Sequence, residues 1–239
     1  MDDVAVGSRQ RRSEITRHRV IDAAIEEFGM EGFERTTTRA LVERAGTNLV
    51  AIHYHFGSKK AVYRAAAQHI ADALRERNRT PLDRARRTLE RPRASRRELI
   101  ESVCDLFDDF VAMALAGGLP ECWRRFLARE QLEPSGTGAF DAIFKAMQPS
   151  FETMFALVAR IIDQPPDRPE VRLLTTMIFG QVSVFRTNRA AALRLIGWQQ
   201  FGPDELAQIR AVGRKYIHSL LESKTRRTTR SRASAVRPR

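Results

Sequence analysis

Cysteine is nearly absent from this 239-residue chain. Only Cys104 and Cys122 occur, 18 positions apart, with no second cysteine or histidine at metal-ligand spacing. That excludes a disulfide framework or a zinc module and points to two buried thiols in a reducing cytoplasm. Long apolar runs are missing too: none approaches the roughly 18 residues of a membrane helix. The opening MDDVAVGSRQRR lacks the apolar core of a secretion signal. There is no glycine-rich phosphate loop, no HExxH and no G-x-S-x-G. His53 and His55, two apart on a helix, face different ways and cannot share a metal. Asp108 and Asp109 read as the solvated side of an amphipathic helix. Neither an enzyme nor a cofactor is therefore expected. The period-two alternation of strands occurs nowhere, and no internal repeat is visible.

Basic residues are abundant. The net charge is +12, and 224–239 alone holds seven Lys/Arg and no acid, leaving the rest at +5 (34 minus 29). Such charge suits a polyanion, although alone it fits DNA, RNA or an anionic membrane equally. The tail at 224–239 has too little apolar content to fold and reads as disordered. It either adds non-specific DNA affinity or only solubilises. Residues 1–12 read as a flexible arm whose Arg9, Arg11 and Arg12 either reach DNA or are simply solvated.

Helical periodicity runs through everything between. Ser13 to about Gly29 places Ile15, Val20, Ile21, Ala24, Ile25 and Phe28 on one inward stripe. Thr37 or Thr38 is placed to N-cap a short helix bearing Leu41, Val42 and Ala45, and Gly46 allows a left-handed C-cap. Asn48 caps a second short helix from Leu49 to His55, with Ile52 and Phe56 pointing back. Two short helices about a glycine turn form a helix-turn-helix, whose second helix suits a major groove. Gly57 breaks the chain, and a connecting helix follows over 58–79, closed by Pro81. An arginine-rich linker over 80–95 precedes an all-helical region at 96–223, with breaks at Gly117-Gly118, at 134–138, and at Pro149, Pro165-Pro166 and Pro203. The fold class is all-α, with nine or ten helices: a three-helix head over 13–60 joined by a long helix to a second domain.

The run from Thr36 to Lys60 resembles the N-terminal domain of TetR-family transcriptional regulators. Thr36, Thr37, Arg39, Leu41, Ala45, Gly46, Ile52, His55, Phe56, Ser58 and Lys59 stand at the family's spacing, as do Ile21, Ala24, Phe28, Gly29 and Gly32-Phe33 upstream. Thr47, Asn48, Val50 and His53 depart from it, so no base preference carries over. The resemblance implies DNA contacts from Thr37, Arg39, Thr47, Asn48, Leu49, Val50, Ala51, His53, Tyr54 and Lys59. Of these, Thr37, Tyr54 and Lys59 would take phosphates, and Val50, Ala51 and His53 would set sequence preference. The C-terminal half resembles the branch with a CecR-like ligand domain, through Ala128-Arg129-Glu130, Pro134, Ile178-Phe179-Gly180-Gln181, Phe185-Arg186 and Leu195–Trp198.

One head covers too few base pairs to find a site in a genome, and the resemblance implies homodimers on a palindromic operator in double-stranded DNA. The expected interface comprises Phe155, Val158, Ile162, Leu174, Ile178, Gln181, Val184 and Phe185. Each helix must also bury part of its stripe in its own core. Phe107, Phe110, Met113, Trp123, Phe126, Phe144, Arg129, Glu130 and Arg186 are either plain core or the lining of a pocket for an unknown hydrophobic or drug-like effector. The reading is a homodimeric, effector-released repressor in the cytoplasm, with no membrane partner. The alternative is an effector-independent or architectural DNA-binding protein.

Overall fold

A computed structural model describes the backbone of residues 2–117 and 119–235, and side chains from Gln10 to Ser223 except Gly118. The expected disordered tail at 224–239 and Arg9 of the expected arm lie outside the residues with described side chains. Ten helices and no strand are present among the described residues. They are α1 (Asp2–Arg35), α2 (Thr38–Ala45), α3 (Leu49–His55), α4 (Lys59–Glu90), α5 (Arg96–Leu115), α6 (Glu121–Leu132), α7 (Ala139–Ile162), α8 (Pro169–Thr187), α9 (Arg189–Ile196) and α10 (Pro203–Ala235). The all-α expectation holds. No helix among the described residues is long and apolar enough to cross a membrane.

Several boundaries differ from the sequence reading, each for a physical reason. Residues 10–12 belong to α1 rather than to a free arm. Of the inward stripe expected on that helix, the fold leaves Ile15 exposed. Gly29 does not end that helix. The bend comes at Gly32, whose φ of 82° and ψ of 173° lie in a region essentially reserved for glycine. Two prolines expected at helix boundaries lie inside helices, Pro81, expected to close one, in α4 and Pro149, expected to start one, in α7. A proline costs one ladder hydrogen bond and a ring clash. Burial of Leu82 and Ala85 beyond Pro81, and of Met154, Leu157 and Val158 beyond Pro149, outweighs that cost. At the start of α5, Ser95 and Glu98 form a reciprocal capping box that places the helix origin firmly.

The chain forms two compact units. The first takes the residues up to Glu76 together with Leu119–Met147; the second takes Arg77–Gly118 with everything from Gln148 on. The expected single domain over 96–223 is thus divided: α6 and the first turns of α7 belong with the head. Gly29 explains how α6 lies against α1, because a Cβ there would sit 2.8 Å from the Cys122 carbonyl oxygen. Only a glycine lets the two backbones approach that closely. Around Tyr63 the first unit stacks its aromatic core, with Phe28 at 4.6 Å, Phe126 at 4.8 Å and Phe33 at 5.1 Å between ring centroids.

In the second unit α5 is central, packed by α8 and α10 around buried Val103, Phe107, Val111, Ile178 and Ile217. Arg214 on α10 holds three acids of α5, Glu101 at 2.6 Å, Asp105 at 3.1 Å and Asp108 at 2.6 Å. Arg160 donates to the carbonyls of Leu89, Arg91 and Pro92, satisfying the C-terminal end of α4. Burial pushes the Cys104 thiol up to about 12, so it stays protonated. We expect it to resist iodoacetamide at pH 8 until the second unit unfolds; alkylation of the native protein at the rate of a free thiol would contradict this.

Candidate nucleic-acid interface

The two short helices are built as their caps predict. Thr37 accepts from Ala40 N at 3.1 Å, and Asn48 Oδ1 accepts from Ala51 N at 3.0 Å. Gly46 turns the chain with φ 58°, and a Cβ there would lie 2.6 Å from an Arg19 guanidinium nitrogen. That same guanidinium donates to the Gly46 carbonyl at 3.3 Å, tying the turn to α1. Arg44 ties α2 to α1 as well, through Glu26 and Glu27. Neither arginine carries a motif, and only their contacts in the fold reveal the role.

Leu41, Ala45 and Ile52 are buried, which fixes the rotation of α3. Its opposite face is bare: Val50 is 73% and Tyr54 78% exposed, with Leu49 and His53 exposed beside them. An exposed valine and tyrosine on a seven-residue helix bury nothing within this chain. Thr37, Arg39 and Asn48 are also exposed, and Thr47 and Ala51 half-exposed. The Thr37 hydroxyl already accepts from the backbone, so its proton is left to donate outward. Nine of the ten residues expected to contact DNA are therefore exposed or half-exposed.

Lys59, the tenth, is held within the chain. Its ammonium donates to the carbonyls of Phe33 at 2.9 Å, Glu34 at 3.4 Å and Thr36 at 3.0 Å, and sits 4.5 Å from the centre of the Phe33 ring. In this structure its three donors face carbonyls at and just beyond the end of α1. Exposed Lys60 beside it carries no such duty.

The residues expected to line an effector pocket fall in both units. Phe107 and Met113 are buried in the core of the second unit, and Phe110 packs on Phe179 at 5.2 Å. Burial lowers the pKa of Arg186 in that same unit. Trp123, Phe126, Arg129, Glu130 and Phe144 belong to the first unit instead. There Trp123 meets His69 at 5.5 Å, Phe126 stacks on Tyr63, and Phe144 stacks on Phe140 at 6.0 Å. Arg129 and Glu130 do not pair. Arg129 donates to the Met30 carbonyl at 2.6 Å, while Glu130 accepts from the Tyr63 hydroxyl at 2.6 Å and from Ser135 N at 3.2 Å.

Glu130 is only 2% exposed; Tyr63 and Ser135 satisfy its Oε1, while its Oε2 is buried with no hydrogen-bond partner among the described residues. Burial first, and then the bond to Glu130, raises the Tyr63 pKa well above 10.0. The unfolded phenol ionises from about pH 10 while the folded one keeps its proton. Stability from this group is thus complete below pH 10 and lost as pH climbs further. Tyr63→Phe should cost about 1–3 kcal/mol at neutral pH and make the alkaline loss shallower. Thermal melts between pH 7 and 11 would show it, and parallel curves for both proteins would refute it.

For the expected dimer interface, Val158, Ile162, Leu174 and Ile178 are buried in the chain's own core. Phe155 is covered by Arg172, Phe185 meets Phe201, and Gln181 donates to Ile178 O. Val184 alone of the eight is exposed. The exposed apolar face of α8 lies one side over, with Leu173 at 63% and Met177 at 53% exposed, continuing through Gly180 to Val184. On α10, Val212 and Tyr216 are likewise exposed. A 4-3-4 spacing of Leu173, Met177, Gly180 and Val184 was visible in the sequence, but nothing there told the wet stripe of α8 from the buried one.

Residues 20–66 match the N-terminal domain of bacterial regulatory proteins of the tetR family. Residues 99–223, just over half of the chain, match the C-terminal domain of the HTH-type transcriptional dual regulator CecR. The chain belongs to the TetR family of transcriptional regulators. It carries a CecR-type C-terminal domain. CecR of Shigella flexneri is 29% identical over 227 residues, covering 91% of this chain and 96% of that protein. Among solved structures, a TetR-family regulator from Mesorhizobium loti shares the fold with TM-score 0.54 at 14% identity, covering 87% of this chain and 98% of its own. FadR from Bacillus subtilis, solved in complex with stearoyl-CoA, shares it with TM-score 0.53 at 15% identity, covering 84% and 96%. Members of the family are DNA-binding regulators rather than enzymes.

Proposed function

We propose that this TetR-family regulator is a homodimeric repressor that holds a palindromic operator with two copies of α3 and releases it on binding a small effector. The bare face of α3 carries this reading, because Val50, His53 and Tyr54 project from a helix whose other side is locked by Ile52. Val50, Ala51 and His53 would read base edges, while Thr37, Tyr54 and Lys60 would take phosphates. The exposed stripe Leu173, Met177, Gly180 and Val184, with Val212 and Tyr216, supports a second copy as the partner for α8 and α10. Small residues such as Gly180 let helices approach closely. The stearoyl-CoA held by the B. subtilis fold relative supports an effector site.

The test is binding of the purified protein to the DNA upstream of its own gene, followed by a reporter that reads activation as well as repression. His53→Ala should blur preference among related sites by about 1–3 kcal/mol per base pair, and Tyr54→Ala should weaken all DNA alike. Leu173→Asp with Met177→Asp should yield monomers in sedimentation and abolish operator binding without unfolding. A monomeric wild type, or binding indifferent to sequence, would sink the reading and favour an architectural protein.

A further inference from the structure

The bare face of α3 carries few groups that can address a base edge. Its exposed side chains are Leu49, Val50, His53 and Tyr54, with Ala51 half-exposed. No arginine, lysine or glutamine stands on this helix, so the bidentate grip on guanine O6 and N7 is missing from it. Asn48, just ahead of α3, is of the residue type that spans adenine N6 and N7. Its Oδ1 is already engaged, accepting from Ala51 N at 3.0 Å, so the acceptor half of that pairing is spent on the cap. The Tyr54 hydroxyl rotates to donate or accept and does not discriminate by itself. His53 is left as the polar group whose direction the fold can fix.

A histidine is ambivalent toward a base until its tautomer is set: in the neutral ring one nitrogen donates and the other accepts. His53 Nδ1 lies 3.3 Å from the carbonyl oxygen of Gly57, one turn onward. A carbonyl only accepts, so Nδ1 carries the proton. That acceptor is itself held in place. The Gly57 N–H donates to the carbonyls of Ile52 and His53, each at 3.1 Å, and its φ of 77° is one that glycine adopts without strain. Nε2, at the far side of this exposed ring, has no hydrogen bond among the described residues. It is left with a lone pair.

We infer that His53 presents Nε2 as a hydrogen-bond acceptor and so selects a base with an amino group in the major groove, adenine through N6 or cytosine through N4. Guanine and thymine show only acceptors there, guanine O6 and N7 and thymine O4, so the lone pair on Nε2 meets another lone pair and is repelled. The choice is amino against keto, and it is blind to purine against pyrimidine. It rests on the reading above that α3 faces the major groove. The tautomer, by contrast, belongs to the free protein and is measured without DNA.

The experiment has two arms. Nitrogen-15 shifts of the His53 ring are recorded on the full-length protein near neutral pH, with His53→Gln to assign the signals. Nδ1 should be protonated and Nε2 bare; the opposite tautomer, an even mixture, or a proton on both nitrogens overturns the inference. Binding sites are then selected from a randomised duplex pool by the wild type and by His53→Ala. The position at which only the variant loses preference should carry adenine or cytosine. Replacing that base by its analogue without the amino group, purine or pyrimidin-2-one, should weaken wild-type binding about tenfold. The same replacement should leave the His53→Ala affinity unmoved, which separates the lost contact from the weakened base pair. His53→Lys, a donor only, should move the preferred base to guanine or thymine. Equal melting temperatures establish that these variants of an exposed residue fold. Guanine or thymine at the His53-dependent position, or equal sensitivity of wild type and His53→Ala to the missing amino group, overturns the inference and leaves the operator reading standing. A pool that yields no sequence preference overturns the operator reading, and this inference falls with it whatever the tautomer.

Discussion

Lys59→Ala should weaken binding to every DNA sequence and lower the melting temperature of the head, yet leave the salt dependence of binding unchanged. The Lys59 ammonium closes the end of α1, where the carbonyls of Phe33, Glu34 and Thr36 would otherwise lack donors. Three charge-assisted bonds at a half-exposed site, plus the contact with the Phe33 ring, amount to about 2 kcal/mol. A residue that contacts phosphate behaves differently: each lost contact reduces the salt slope by about one. Lys60→Ala is the control, expected to lower that slope without altering the melt. An unchanged melt with a reduced slope for Lys59→Ala would mean that its ammonium leaves α1 to bind phosphate.

Gly213→Ala should be the most destabilising single-methyl change in the second unit. A Cβ at that position would lie 2.2 Å and 2.4 Å from the Cε1 and Cζ atoms of Phe107. Phe107 is 1% exposed and cannot swing aside, so α10 must lift from α5 or the ring must leave its rotamer. Overpacking of this kind costs about 1–3 kcal/mol. Arg214, the next residue, loses its grip on the α5 acids if the helix lifts, which places the expectation at the upper end. Denaturant midpoints would measure the loss. Phe107→Leu in the same chain should restore part of it, since the two changes share one space. Additive losses in the double variant would show that the methyl clashes with something else.

Much of the head is readable from the chain itself because its determinants are local. Thr37 and Asn48 cap helices through a backbone N–H three residues on, and Gly46 follows from its own backbone angles. The alternation of Ile52 with Val50 and Tyr54 then decides which face of α3 is bare. The helical class and its breaks are local as well, apart from Pro81 and Pro149. Those two fail as boundaries because burial farther along the same helix outweighs a lost hydrogen bond.

Partnership between distant residues was beyond the sequence. Lys59 stands at a position that suits phosphate, and only the end of α1, lying 23–26 residues away in the chain, diverts it. Glu130 and Tyr63 are 67 positions apart. Amphipathic stripes show that a helix has an apolar face but not what covers it, so Val158 and Leu174 read as well for a dimer as for a core. Local geometry depends on neighbours in sequence, which the chain states outright. The choice of which apolar face is buried, and which charge is left unpaired, depends on packing across the fold, and only the tertiary structure decides that.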